Sequence, residues 1–234
     1  MMPVTDATAT REERLSRARA ALAGVEARIG TTREAWDRPM LPLASELEPL
    51  LPEGLCRGQV VEVSGATSLM LALAAGASRE GSWTVAIGMP AVGVVAAARR
   101  GVDLSRFALI PHPGAQAAEA VGACVDGMDV VLLGPALALS DADRRRLSSR
   151  ARERGSVIIT AGAWVGAQVR LDVEKAAWTG LGVGDGRLRE RELTVAVTGR
   201  SRAVATRVRV VLDADKELRP ERAVVRIGVD EEVA

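Results

Sequence analysis

The spacing of apolar residues changes three times along this chain. Between residues 11 and 29 they fall at Leu15, Ala18, Leu22, Val25 and Ile29, with Arg and Glu between them. Steps of three and four put these residues on one helix face. So narrow a seam needs a partner, either its own domain or a groove on another chain. Prolines at 39, 42, 49 and 52 follow and read as a linker. From 58 to 162, short β-branched runs alternate with Ala- and Arg-rich stretches. Strands are expected at 60–64, 83–88, 106–110, 130–133 and 157–160. Helices are expected near 67–77, 91–100, 114–125 and 141–154. This alternation predicts a parallel sheet with helical crossovers. Beyond 162 the pattern becomes a two-residue alternation over 168–178, 188–197 and 203–212, broken by the turns GLGVGDG and TGRSR. These segments extend the sheet in antiparallel fashion.

The expected organisation has four parts: a helix with a disordered start (1–35), a Pro-rich linker (36–54), an α/β core (55–212) and a charged tail (213–234). The tail is either flexible or ordered by a partner, and only 223–229 within it hints at a stable period. The fold class is α/β, a mostly parallel central sheet flanked by helices with an antiparallel C-terminal extension.

Composition narrows the chemistry. With 234 residues the chain can bury a sizeable core. Aromatics make up only 2% and Tyr is absent, which leaves little material for stacking on nucleic-acid bases. Lys plus Arg (31) nearly balances Asp plus Glu (30), so any attraction to DNA must be local. Cys56 and Cys124 stand far apart in no C-x-x-C pair, as expected of packing residues in a reducing cytosol. The N-terminus shows no export signal. The longest apolar run, 130–139, contains Gly134 and Pro135, so no membrane span is expected.

The central stretch is GQVVEVSGATSLMLALAAG at 58–76, a strand, a tight turn and a helix. A phosphate-binding loop in this place carries G-x-x-x-x-G-K-[ST], with backbone N–H groups around the phosphates, a neutralising Lys and a hydroxyl for Mg²⁺. Here Gly65 is followed by Ala66 and Thr67, and Ser68 and Leu69 stand where Lys and the hydroxyl belong. Lys175 and Lys216 are the only lysines, and neither is near in sequence. Each missing charge-assisted contact forfeits about 1.5 to 3 kcal/mol, so nucleotide affinity should fall by several powers of ten. No cofactor, metal or catalytic residue is expected.

Several segments in order give the core a resemblance to RecA-type recombinases. GQVVEVSG resembles the strand entering the phosphate loop, GVDLSRFALI the segment before the third strand, and DVVLLGPALAL the Walker B strand. VRLDVEKAAW and RELTVAVTGR resemble the closing strands. The departures fall on the chemistry. Gly134 replaces the Walker B acid, Met89-Pro90 replaces the catalytic glutamate, and the segments that would form DNA-binding loops are cut down. Gly65, Thr67, Ser68, Leu69, Pro90 and Gly134 therefore mark a degenerate, inactive nucleotide site.

Such a chain most resembles the ImuA-type (ImuA′) mutasome accessory proteins of actinobacteria. That resemblance implies a non-catalytic scaffold in SOS-induced translesion synthesis. Its partner would be an ImuB-like inactive relative of the translesion polymerases. Through that protein it would reach an error-prone polymerase and the sliding clamp. Self-association or contact with RecA is also open. The alternatives are a SulA-like cell-division inhibitor acting on FtsZ and a weakly DNA-binding recombinase paralogue. A cytoplasmic protein, recruited to the nucleoid, is expected.

Candidate partner contacts are Leu15, Leu22, Val25, Ile29, Trp164, Arg219, Arg222 and Arg226. Trp164 and Trp178 sit where the parallel core gives way to antiparallel strands, so each is either packed in the core or an exposed binding anchor. Candidate DNA contacts are Arg144 and Arg145 on one helix and Arg200, Arg202, Arg207 and Arg209 near the last strands. Asp141 and Asp143 dilute the first group, and Arg207 and Arg209 alternate with valines as on a half-exposed strand. The lone His112 reads as a loop residue. The Asp141/Asp143 pair reads as a helix cap, and Asp213/Asp215 as part of a solvated tail.

Overall fold

A computed structural model describes residues 40–52, 54–181, 186–199 and 202–213. A division of the chain falls between Arg38 and Pro39, and every described residue belongs to the unit beginning at Pro39. The expected helix face at Leu15, Leu22, Val25 and Ile29 lies outside the described residues, as does the tail beyond Asp213.

Among the described residues eight strands form one sheet: β1 (Val60–Ser64), β2 (Thr84–Ile87), β3 (Phe107–Ile110), β4 (Val130–Leu133), β5 (Val157–Thr160), β6 (Val169–Leu181), β7 (Gly186–Gly199) and β8 (Arg202–Asp213). Their order is β3-β2-β4-β5-β1-β6-β7-β8. Every pairing from β3 across to β6 is parallel, while β6–β7 and β7–β8 are antiparallel. The expected strands are thus recovered, except that β6, expected within the antiparallel extension, joins β1 in parallel so that the antiparallel part begins at β6–β7; the arrangement is consistent with a RecA-like α/β core. Strands β2, β4 and β5 are buried at every position. That is why they read as apolar runs with only Thr84 and Thr160 at their ends: a parallel strand covered on both faces has no side to leave polar.

Four helices connect the parallel strands: α1 (Thr67–Arg79), α2 (Val94–Arg99), α3 (Ala117–Gly127) and α4 (Asp141–Arg154). Two cores lie on opposite sheet faces. One joins α1 to Val61, Val63, Leu193, Val195, Val208 and Val210, and the other joins α3 and α4 to Val60, Val131 and Ile158. α1 is buried at every residue from Leu69 to Ser78, as an Ala/Leu helix apolar on all sides must be. In α4 a capping box marks the start, where Ser140 accepts from the Asp143 N–H and Asp143 from the Ser140 N–H. Gly155 in the left-handed region ends it.

The Pro-rich stretch expected as a linker is packed, in its described part, as a strap over the first core. Leu41, Leu47, Leu50 and Leu55 are all buried, and the Leu41 N–H donates to the Leu55 carbonyl at 2.9 Å. Gly76 on α1 permits this: a Cβ there would lie 2.5 Å from the Pro42 carbonyl oxygen. The prolines disguise a leucine set that needs the α1 surface to bury itself.

Candidate functional site

Ligands of open α/β sheets bind outside the carboxyl ends of the strands, where the β1–α1 turn lies. β1 ends at Ser64 and α1 begins at Thr67, so only Gly65 and Ala66 form the turn. Gly65 adopts φ +82, and a Cβ at this position would meet the Cβ and carbonyl oxygen of Val173, each at 3.1 Å. The turn is therefore backed by β6, and two residues cannot circle a phosphate.

The side chains after the turn are already engaged. Arg191 on β7 reaches across and donates from Nη1 to Ser68 Oγ at 2.7 Å. Its guanidinium also lies over the Trp178 ring, 5.5 Å from the centroid. Leu69 is fully buried in the first core, while Thr67 is exposed. Arg100, at the end of α2, gives Nη1 to the Asp213 carbonyl oxygen at 2.7 Å. Burial first, and then the charge of Arg191, pull its pKa below the ordinary arginine value.

Where a Walker B acid would follow β4, the backbone itself blocks a side chain. The Gly134 N–H donates to the Ile87 carbonyl at 2.8 Å. A Cβ on Gly134 would collide with the Gly88 carbonyl oxygen and lie 3.1 Å from Met89 Cγ. Pro90 beside it is exposed. Two carboxylates on the paired strands β1 and β6 serve as fasteners. Glu62 Oε2 accepts from the Trp164 N–H at 3.0 Å and from Arg170 Nε at 3.3 Å, and Asp172 Oδ1 accepts from Ser64 Oγ at 2.6 Å. No cluster of three or more His, Cys, Asp or Glu residues able to hold a metal occurs among the described residues.

The candidate DNA contacts are interleaved with acids. Arg144 pairs with Asp141 at 3.0 Å, Arg207 with Glu174 at 2.8 Å and Arg209 with Glu192 at 3.0 Å. On the same helix as Arg144, Arg146 pairs with Asp143, and both Arg150 and Arg154 pair with Asp126. These bonds hold the carboxylates below their usual range: Arg150 does so for Asp126, and Arg207 for Glu174. Arg145 is exposed. Arg202 opens β8, but its side chain, like the whole of Arg200, lies outside the described residues.

Among the partner contacts, Trp164 is corrected. It is 2% exposed, packed in the second core, with Nε1 donating to Ser148 Oγ at 2.8 Å. An indole whose apolar body and N–H are both satisfied inside has nothing to offer a partner. Trp178 is instead exposed at 44%, as is Trp83 at 45%. Arg219, Arg222 and Arg226 lie outside the described residues. The residues that close the nucleotide position, Val173 and Arg191, were not singled out in the sequence. They lie more than a hundred positions from Gly65 and carry no motif; only the alternation of their strands hints that they face α1.

Residues 49–166 match the family model described as the MT3502 N-terminal domain. The chain belongs to this family. An uncharacterised protein of Mycobacterium tuberculosis, Rv3395c, is 38% identical over 130 residues, which cover 55% of this chain and 64% of that relative. The family match takes in the strap from Pro49, the whole β1–α1 turn and strands β1 to β5. No helix among the described residues is long and apolar enough to cross a membrane.

Proposed function

We propose that this chain is a non-catalytic RecA-fold scaffold of the damage-inducible translesion-synthesis mutasome, binding an ImuB-like inactive polymerase homologue. One observation supports the non-catalytic part of the reading: at Gly65, Ser68, Leu69 and Gly134 the nucleotide position is blocked or engaged from within the protein, while Thr67 and Pro90 stay exposed. Val173 backs Gly65, Arg191 takes Ser68, Leu69 turns into the core, and Gly88 excludes a side chain at Gly134. A site merely missing its lysine could be rescued by a neighbour. A site closed by backbone at two separate strand ends has been turned over to packing.

The partner side of the proposal rests on the resemblance of the ordered core segments to the ImuA-type proteins, and kinship with a mycobacterial protein is compatible with it. The contact elements are the apolar seam at Leu15, Leu22, Val25 and Ile29 and the tail around Arg219, Arg222 and Arg226. The paired arginines argue against a dedicated DNA face, so any DNA contact would be backbone-directed and salt-sensitive.

The test is co-elution with the ImuB-like protein of the same organism in size-exclusion chromatography with light scattering. It is repeated with residues 1–35 or 213–234 deleted. A complex lost on one deletion supports the adaptor and locates its contact. Failure to co-elute at micromolar concentration, or robust ATPase activity from the pure protein, overturns the reading.

A further inference from the structure

The two outer strands of the sheet are defended unequally. β8 carries Arg207 and Arg209, each paired to an acid on its own sheet, and charges along an edge discourage another strand from adding there. β3, at the opposite edge, reads Phe107-Ala108-Leu109-Ile110, with no charge, proline or bulge. Its surroundings are apolar and open. Leu109 is 38% exposed, Leu104 just before the strand 43%, and Val95 on α2 66%. Among the described residues β3 pairs on one side only, with β2, which leaves a row of backbone donors and acceptors on the other side beside an apolar strip.

The chain itself supplies a matching segment. The last described residue, Asp213, is held by Arg100 at the end of α2 through the 2.7 Å bond to its carbonyl oxygen. From Arg100 the chain passes through Gly101–Asp103 into the turn Leu104–Arg106 and then into β3. The exit point of the chain is thus tied to the segment that feeds the exposed edge, although β8 and β3 are opposite ends of the sheet. Residues 214–222 follow, and nine residues span up to about 30 Å when extended. Next comes Ala223-Val224-Val225-Arg226-Ile227-Gly228-Val229, rich in β-branched residues, and then Asp230-Glu231-Glu232. The acidic run complements Arg106, which directly precedes β3 and donates from Nη1 to the Gly81 carbonyl, and Arg99 at the end of α2; both are exposed.

We propose that residues 223–229 of this same chain add to the β3 edge as a ninth strand. The strand runs antiparallel, so that Asp230–Glu232 arrive beside Arg99 and Arg106. Its apolar side chains cover Leu109, Leu104 and Val95. The occupant is the chain's own tail, and the free protein thereby caps the β3 edge.

Hydrogen exchange on the full chain without partners, compared with the full-length Ile227→Asp variant, tests this. In the parent the peptide covering 104–111 should exchange about tenfold more slowly than in the variant, with peptides over β4 and β5 unchanged as the control for folding. Equal rates at 104–111 overturn the proposal. A second measurement reads proximity rather than protection. With Cys56→Ser and Cys124→Ala as background, Leu109→Cys is combined in turn with Val224→Cys, Val225→Cys or Ile227→Cys and oxidised. A crosslink within the monomer in at least one pair supports the tail in its own chain. Crosslinks only between two molecules assign the edge to a second copy and overturn the proposal, as does the absence of any crosslink.

Discussion

The carbonyl of Gly88 occupies the space that a side chain on Gly134 would need. β2 and β4 are neighbours in the sheet, and the first residues after each strand lie back to back. Overpacking a fixed backbone contact costs about 1–3 kcal/mol for a methyl, and more when the added group is charged. Gly134→Ala should therefore lower the urea midpoint by an amount equivalent to about 2 kcal/mol. Gly134→Asp, which restores the lost acid on paper, should lower it further and give no ATPase activity. A Gly134→Asp protein as stable as the parent would show that the strand ends are not locked as described.

Ser68 and Arg191 form the second closure. Ser68→Ala removes a hydrogen bond to a charged donor and should destabilise by about 1.5–3 kcal/mol, less because the site is only partly buried. Ser68→Lys, which restores the phosphate-loop residue, sets an ammonium against the Arg191 guanidinium. It should be less stable than Ser68→Ala and still fail to raise the affinity for a fluorescent ATP analogue, because the turn keeps only Gly65 and Ala66. A double-mutant cycle with Arg191→Met measures the coupling. A coupling of zero would mean that the 2.7 Å contact contributes nothing.

Trp164 distinguishes packing from binding. Trp164→Ala should cost about 3–5 kcal/mol by opening a large cavity in the second core. Ser148→Ala should cost about 1–3 kcal/mol by leaving the buried indole N–H without an acceptor. Both effects belong to folding, so neither variant that remains folded should lose the ImuB-like partner. A folded Ser148→Ala protein that loses the partner would return Trp164 to the interface.

The sequence made the strands legible because burial on both faces leaves no ambiguity. The run at 130–133 is apolar throughout and that at 157–160 is apolar up to Thr160, and the structure starts and ends β4 and β5 at those residues. The turn at Gly65 was legible too, since a missing lysine is visible wherever it is missing. What filled the vacancy was not legible. Val173 and Arg191 reach Gly65 and Ser68 only because β6 and β7 follow β1 in the sheet, and a contact made by topology leaves no local mark. The strap misled in the opposite way. Four prolines suggested a spacer, but Leu41, Leu47, Leu50 and Leu55 are buried. Their destination, the Gly76 surface of α1, again depends on tertiary placement. Trp164 was ambiguous for a simpler reason, since one residue gives no period from which to read its face.

The last prediction concerns acid. Asp126, at the end of α3, accepts from Arg150 and Arg154 on α4 and so ties the two outer helices together. The Arg150 hydrogen bond, before any other cause, lowers its carboxyl pKa, and Arg150's own pKa is raised by the same bond. In the unfolded chain the group returns to about 3.9. The folded state then binds this proton less readily than the unfolded state. Its contribution to stability is complete above the unfolded value and is lost as pH falls through the lowered folded value. Asp126→Asn should therefore reduce the urea midpoint at pH 7 and flatten its decline between pH 5 and pH 3, while the two proteins converge at the acid end. Salt should narrow the pH 7 difference, because the pair is open to solvent. If the variant keeps the parent's acid limb, the decline belongs to other carboxylates. Glu174, lowered by its bond to Arg207, is then the next to replace.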